Sequence, residues 1–104
     1  MITLTVRDDE LMSSLAEQAQ ARGIRNGAIV SLIGAVDTFA VSTMAADDAT
    51  ADTVTEYSQP AEMSGTGEIV DGFMAIEGDQ AVLGHLHLAH VGTHFARAYV
   101  VPAS

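Results

Sequence analysis

The chain has 104 residues, 48% of them apolar but only 5% aromatic, so any core must be built from aliphatic side chains. Four arginines, no lysine and fourteen acids give a formal charge of −10, which argues against binding phosphate backbones or anionic lipid surfaces by charge. With no cysteine, disulfides and thiolate metal sites are excluded, and zinc would need His and carboxylate ligands.

The length fits one domain over residues 1–104 with its own core. Met1 to Val6 alternates apolar and polar residues, the period of a half-buried strand. From Asp9 to Arg22 the period changes: Leu11, Met12, Leu15, Ala16 and Ala19 recur at helical spacing, with acids at the positive end of the dipole and Arg22 at the negative end. Gly23 is the expected stop, followed by an apolar Ile24. No cationic segment precedes an apolar one at the start, so no signal peptide is expected, and a cytoplasmic location is the default.

Asn26-Gly27 predicts a turn into Ala28–Val36, an apolar run that fits a strand buried on both faces, with Gly34 marking a bulge or a close approach. A strand is expected over Thr38–Met44, and the small acidic segment Ala45–Thr53 reads as a solvated loop. Short strands are expected at Val54–Tyr57, Ala61–Thr66, Glu68–Val70 and Phe73–Ile76, with a turn at Glu77-Gly78-Asp79. Ala81–Leu88 and Phe95–Val101 close the chain, the last ended by Pro102. One main helix followed by many short strands predicts an α+β fold with a mostly antiparallel sheet.

Three stretches carry a family resemblance. They are Ala21 to Val36 (ARGIRNGAIVSLIGAV), Glu62 to Ile69 (EMSGTGEI) and Gly84 to Val101 (GHLHLAHVGTHFARAYVV). In order and spacing they resemble the plants-and-prokaryotes-conserved (PPC) domain family, over nearly the whole chain. The resemblance implies a compact subunit that assembles as a homotrimer, with a histidine-bearing cleft near the subunit contacts. Plant members join the domain to basic AT-hook segments that hold DNA, and this chain has no such segment, so no nucleic-acid partner is expected. His85 fits the family's Gly-His-Leu element. The His-x-His pair that family members commonly carry about sixteen residues earlier has no counterpart in Ile69–Glu77, which puts the usual metal site in doubt.

All four histidines, His85, His87, His90 and His94, fall within ten residues. On a strand His85 and His87 share a face, while His90 and His94 take the other parity unless a bulge near Gly92 re-aims them. Three imidazoles could bind zinc with an open water position, one could act as a general base near neutral pH, or the rings could be structural and pair with Glu68 or Glu77. Arg97, beside Tyr99 on one strand face, could hold a carboxylate or phosphate bidentately.

These readings favour a small-molecule-binding domain without a cofactor. Its catalytic candidates are His85 and His87, with Arg97, Tyr99, His94 and Glu68 as ligand contacts. An enzyme of this kind would move a proton on a small anionic or carbonyl-bearing metabolite, as a lyase, isomerase or cyclase does. The competing readings are a non-catalytic oligomerisation module and a His-ligated zinc protein.

Overall fold

A computed structural model describes residues 1–45, 47–79 and 83–103. The elements run β1 (Ile2–Val6), β2 (Asp9–Glu10), α1 (Leu11–Ala21), β3 (Asn26–Val36), β4 (Thr38–Ala45), β5 (Asp48–Tyr57), β6 (Ala61–Val70), β7 (Phe73–Asp79), β8 (Leu83–Val91) and β9 (Ala96–Ala103). All pairings are antiparallel, in the order β1-β9-β3-β6-β7-β8-β4-β5, with β2 added beside β8.

The α+β expectation is therefore corrected to a β-rich fold. Among the described residues, one helix of 11 residues stands against nine strands in a single sheet. The reason lies in segments whose composition hides their pairing. The expected loop 45–53 is strand from Asp48 onward, because β5 satisfies its backbone against β4 while the side chains of residues 50–56 face water at the sheet edge. Gly67 likewise fails to break β6: it sits opposite Ile29 and Ile76, where a Cβ would meet the carbonyl of Ala75. The expected turn at 77–79 is the end of β7, paired with β8. Of the strand expected from Ala81, the first two residues lie outside the described residues.

The sheet curls around the helix. β1 lies beside β9, yet two residues later the chain enters β2, which lies beside β8, and α1 packs on β1, β7 and β8 together. Leu11, Leu15 and Ala19 enter the core with Leu4, Val6, Leu32, Ile76, Leu86, Val91 and Val100, an almost purely aliphatic interior. β3 departs from expectation: only one face is covered, and Val30 and Ile33 on it are nearly half exposed. A bulge after Ile29 resets its parity, so that Ile29, Leu32 and Val36 all point inward. Gly34 provides the close approach, since a Cβ there would lie 2.5 Å from Ala96 Cα and 2.6 Å from the Phe95 carbonyl oxygen.

Two side chains fasten the helix to opposite arms of the curl. Glu10, its N-cap, accepts from the backbone N–H groups of Met12 and Ser13 and also from Ala89 N–H on β8, each at 2.9 Å. Gln18 donates to the carbonyl of Thr5 on β1 at 2.8 Å. The far end follows the sequence expectation: Gly23 has φ +69, and Ile24 N–H donates to the Ala19 carbonyl at 2.9 Å.

Partial burial pushes the Glu10 carboxyl up, but the hydrogen bonds from Ala89, Met12 and Ser13 outweigh it and hold the group below its ordinary value of 4.5. A carboxyl lowered by folding contributes stability that is fully present above its unfolded pKa and is lost as pH falls through the folded one. Glu10→Gln keeps the shape but loses the charge, and should cost roughly 1–3 kcal/mol at neutral pH. Denaturant unfolding of both proteins across pH should show the gap closing below the carboxylate range. A pH-independent gap would mean that the charge contributes nothing.

Candidate functional site

β8 carries three of the four histidines, and a bulge decides where they point. Val41 and Ala40 of β4 lie opposite Leu86 and Leu88, leaving His87 without a partner there. The extra residue shifts the parity, so Leu86, Ala89 and Val91 all face the core while His85, His87 and His90 all face outward. The expected split of His85 and His87 from His90 is thus removed by a bulge at His87, well before Gly92.

His85 and His87 line a cleft of about 560 Å³ on the outer face of the sheet, with Ser42 and Met44 from β4, Asp52 from β5 and Glu77 from β7. Register explains the cluster: His85 lies opposite Glu77 on one side and Ser42 on the other. His85 Nδ1 is 2.9 Å from Glu77 Oε1, and the His85 and His87 rings meet edge to face at 5.6 Å. Because a carboxylate only accepts, this contact selects the tautomer with the proton on Nδ1 and leaves Nε2 as the acceptor. The His85 side chain is 42% exposed, so the pair is open to solutes from the cleft side. Among the described residues no three His, Asp or Glu side chains converge as a metal shell.

The other expected contacts do not join this cleft. Arg97 and Tyr99 are on β9, which is separated from β8 by β3, β6 and β7. Glu68 is exposed on β6 between Ala28 and Ala75. His94 lines a different cavity, about 600 Å³, with Phe95, Ile33, Ala35, Glu62 and Met63. Glu77, Ser42, Met44 and Asp52 are the cleft residues that the sequence reading did not select for the site. Counting back from His85 across a short β7–β8 hairpin would have found Glu77; the β4 and β5 contributions depend on long-range pairing.

The class of protein is defined by a curled antiparallel sheet filled by one helix, with a histidine cleft on its outer face. The chain belongs to the Plants and Prokaryotes Conserved domain family, whose model matches residues 2–100. Its fold is similar to the metal-containing protein AF0104 from Archaeoglobus fulgidus (TM-score 0.80, 23% identity, 99% of this chain and 79% of that one). It is also similar to a protein from Ralstonia eutropha JMP134 (0.79, 19%, 97% and 76%) and one from Bacteroides thetaiotaomicron VPI-5482 (0.76, 18%, 98% and 78%). The latter two are provisionally described as DNA-binding, which overturns the expectation of no nucleic-acid partner drawn from the acidic charge and the lack of an AT-hook segment. No curated protein matches the chain. No helix among the described residues is long and apolar enough to cross a membrane.

Two predictions follow from this geometry. Nitrogen-detected NMR of the imidazoles should find His85 protonated on Nδ1 at pH 8 and shifted toward the Nε2 tautomer in Glu77→Ala; an unchanged tautomer ratio would dissolve the pair. Gly34→Ala, forced against backbone atoms of β9, should lower stability by roughly 1–3 kcal/mol in urea unfolding. A neutral result would mean that β3 and β9 separate freely there.

Proposed function

We propose that the chain is a small-molecule-binding protein that uses the cleft of His85, His87 and Glu77, and that His85 serves there as a proton acceptor. The observation that carries this reading is the 2.9 Å contact from His85 Nδ1 to Glu77 Oε1 inside a solvent-open cleft. A carboxylate that fixes the ring and its tautomer leaves Nε2 oriented for general-base chemistry. Ser42 and His87 flank that nitrogen's ring and supply hydrogen-bonding groups for a carbonyl-bearing or acidic metabolite. Lyase, isomerase or cyclase chemistry begins with this kind of proton transfer.

The cleft is bordered by apolar residues that water covers poorly. Met44 is 68% exposed and lines it, and Val54 on β5 and Leu88 beside the bulge are exposed nearby. Such a rim suits a contact with further copies of the chain, and we propose a homotrimer that meets here. Zinc is the second reading, supported by the edge-to-face imidazole pair and by the metal-containing relative of the same fold. It requires a third donor from outside the described residues of one chain.

Light scattering should give three times the subunit mass of 10.8 kDa; a monomer would remove the contact. A saturation-transfer NMR screen of small carboxylates and ketones should give binders for the wild type that the His85→Ala/His87→Ala double variant loses. The variant should keep its melting temperature to within a few degrees, because half-exposed side chains cost little when truncated. Binding that survives the double change, or a variant that unfolds, would overturn the site in favour of structural histidines. Zinc retained through dialysis at about one per site, and absent from the double variant, would replace the metal-free cleft with the metal reading.

A further inference from the structure

The second cavity has its own chemistry. Phe95 immediately precedes β9 and has the parity of Arg97 on it, and Arg7 follows β1 with the parity of Thr5, which lies opposite Arg97. The result is that both guanidinium groups sit over one ring: the central carbon of Arg7 is 4.9 Å, and that of Arg97 4.5 Å, from the Phe95 centroid. Half of the four positive side chains of a −10 chain are gathered on a single phenyl group. Fourteen acids notwithstanding, no Asp or Glu oxygen among the described residues lies within 4.0 Å of either one.

Holding two like charges together without a carboxylate costs free energy, and the ring offsets only part of it. Guanidinium groups over a ring still present N–H donors at their edges, and a pair of them matches the oxygens of one acidic group. Phe95 itself also lines the 600 Å³ cavity, whose floor is apolar: Ile33 and Ala35 of β3 and Met63 of β6. Glu62 lies at the β6 side of that cavity, opposite Ala35 in register. Its charge disfavours a second acidic group there.

We infer that Arg7, Arg97 and Phe95 form a site for a small ligand with a single acidic group, a carboxylate or phosphate monoester, and an apolar body that lies in the neighbouring cavity. The acidic group bridges the two arginines, and the body covers Ile33 and the Phe95 side of the cavity. This site is separate from the His85 cleft and does not depend on its function.

Benzoate and phenyl phosphate are suitable probes, with benzyl alcohol as the neutral counterpart, followed by amide chemical shifts in two-dimensional NMR. The two anions should produce saturable shifts at Ala35, Phe95 and Arg97, and benzyl alcohol should bind at least tenfold more weakly. Arg7→Gln/Arg97→Gln should weaken the anions by roughly tenfold or more, whereas Arg22→Gln/Arg25→Gln, which removes equal charge elsewhere, should leave them unchanged. The His85→Ala/His87→Ala variant should bind the probes normally, so failure of the histidine cleft does not touch this result. If the Arg7/Arg97 variant fails to fold, Phe95→Leu gives the same reading by releasing both arginines from their ring. Equal binding of benzyl alcohol, an equal loss in the Arg22/Arg25 variant, or the absence of saturable shifts at millimolar probe would overturn the proposal. Retardation of a DNA duplex that competes with benzoate would replace the small anion with a nucleic-acid backbone.

Discussion

The carboxylate of Glu10 joins residues 79 positions apart, and the shape of the molecule depends on that join. It caps the helix and holds β8 at the same time, while Gln18, two turns on, holds β1. The sheet can therefore curl until its β1 and β8 regions meet around one helix, and the aliphatic core closes without large rings to fill it. A capping residue without the third oxygen contact would start the helix equally well. It would leave Ala89 N–H on β8, in the strand that carries three of the histidines, without its side-chain acceptor.

The outer face inherits its pattern from that closure. Because the inner face takes every large aliphatic side chain that parity allows, what remains outside is polar or ionisable, with apolar islands at Val30, Ile33, Met44, Val54 and Phe73. The two cavities lie on this outer surface, each built from strands that are distant in sequence and adjacent in the sheet. One gathers imidazoles and carboxylates, and the other is bordered by Phe95, the ring over which two guanidinium groups sit.

Much of this was legible before the fold was known. β1, the helix with its Gly23 stop, and β4 are simple periodic segments, and they appear where their periods put them, whereas β9 runs past its expected end at Pro102 to Ala103, where it pairs with β3. The failures have specific physical causes. Asp48–Tyr57 is strand because its backbone pairs with β4, a long-range contact that composition does not record. Ala28–Val36 is apolar on both faces although only one is covered, so an apolar run alone did not report burial. The histidine cluster was visible as a concentration, and the pairing of His85 and His87 on one face followed from alternation. The assembly of Arg97, Tyr99, His94 and Glu68 around them did not, because closeness in sequence across the β8–β9 connection is undone by three intervening strands.

The bulge at His87 has a consequence for how this segment tolerates change. Between Leu86 and Ala89 the chain holds two outward residues where regular alternation allows one, and everything after that point keeps its inward face because the bulge absorbs the surplus residue. Removing one residue there would restore regular alternation, with Ala89 and Val91 still facing the aliphatic interior and His90 still facing water. Both the side chain at Leu88 and the residue count from Leu86 to Ala89 are therefore weakly constrained, whereas the apolar character of Leu86, Ala89 and Val91 is not. Homologous sequences that share this arrangement should tolerate the loss of one residue in the stretch and keep those three positions apolar.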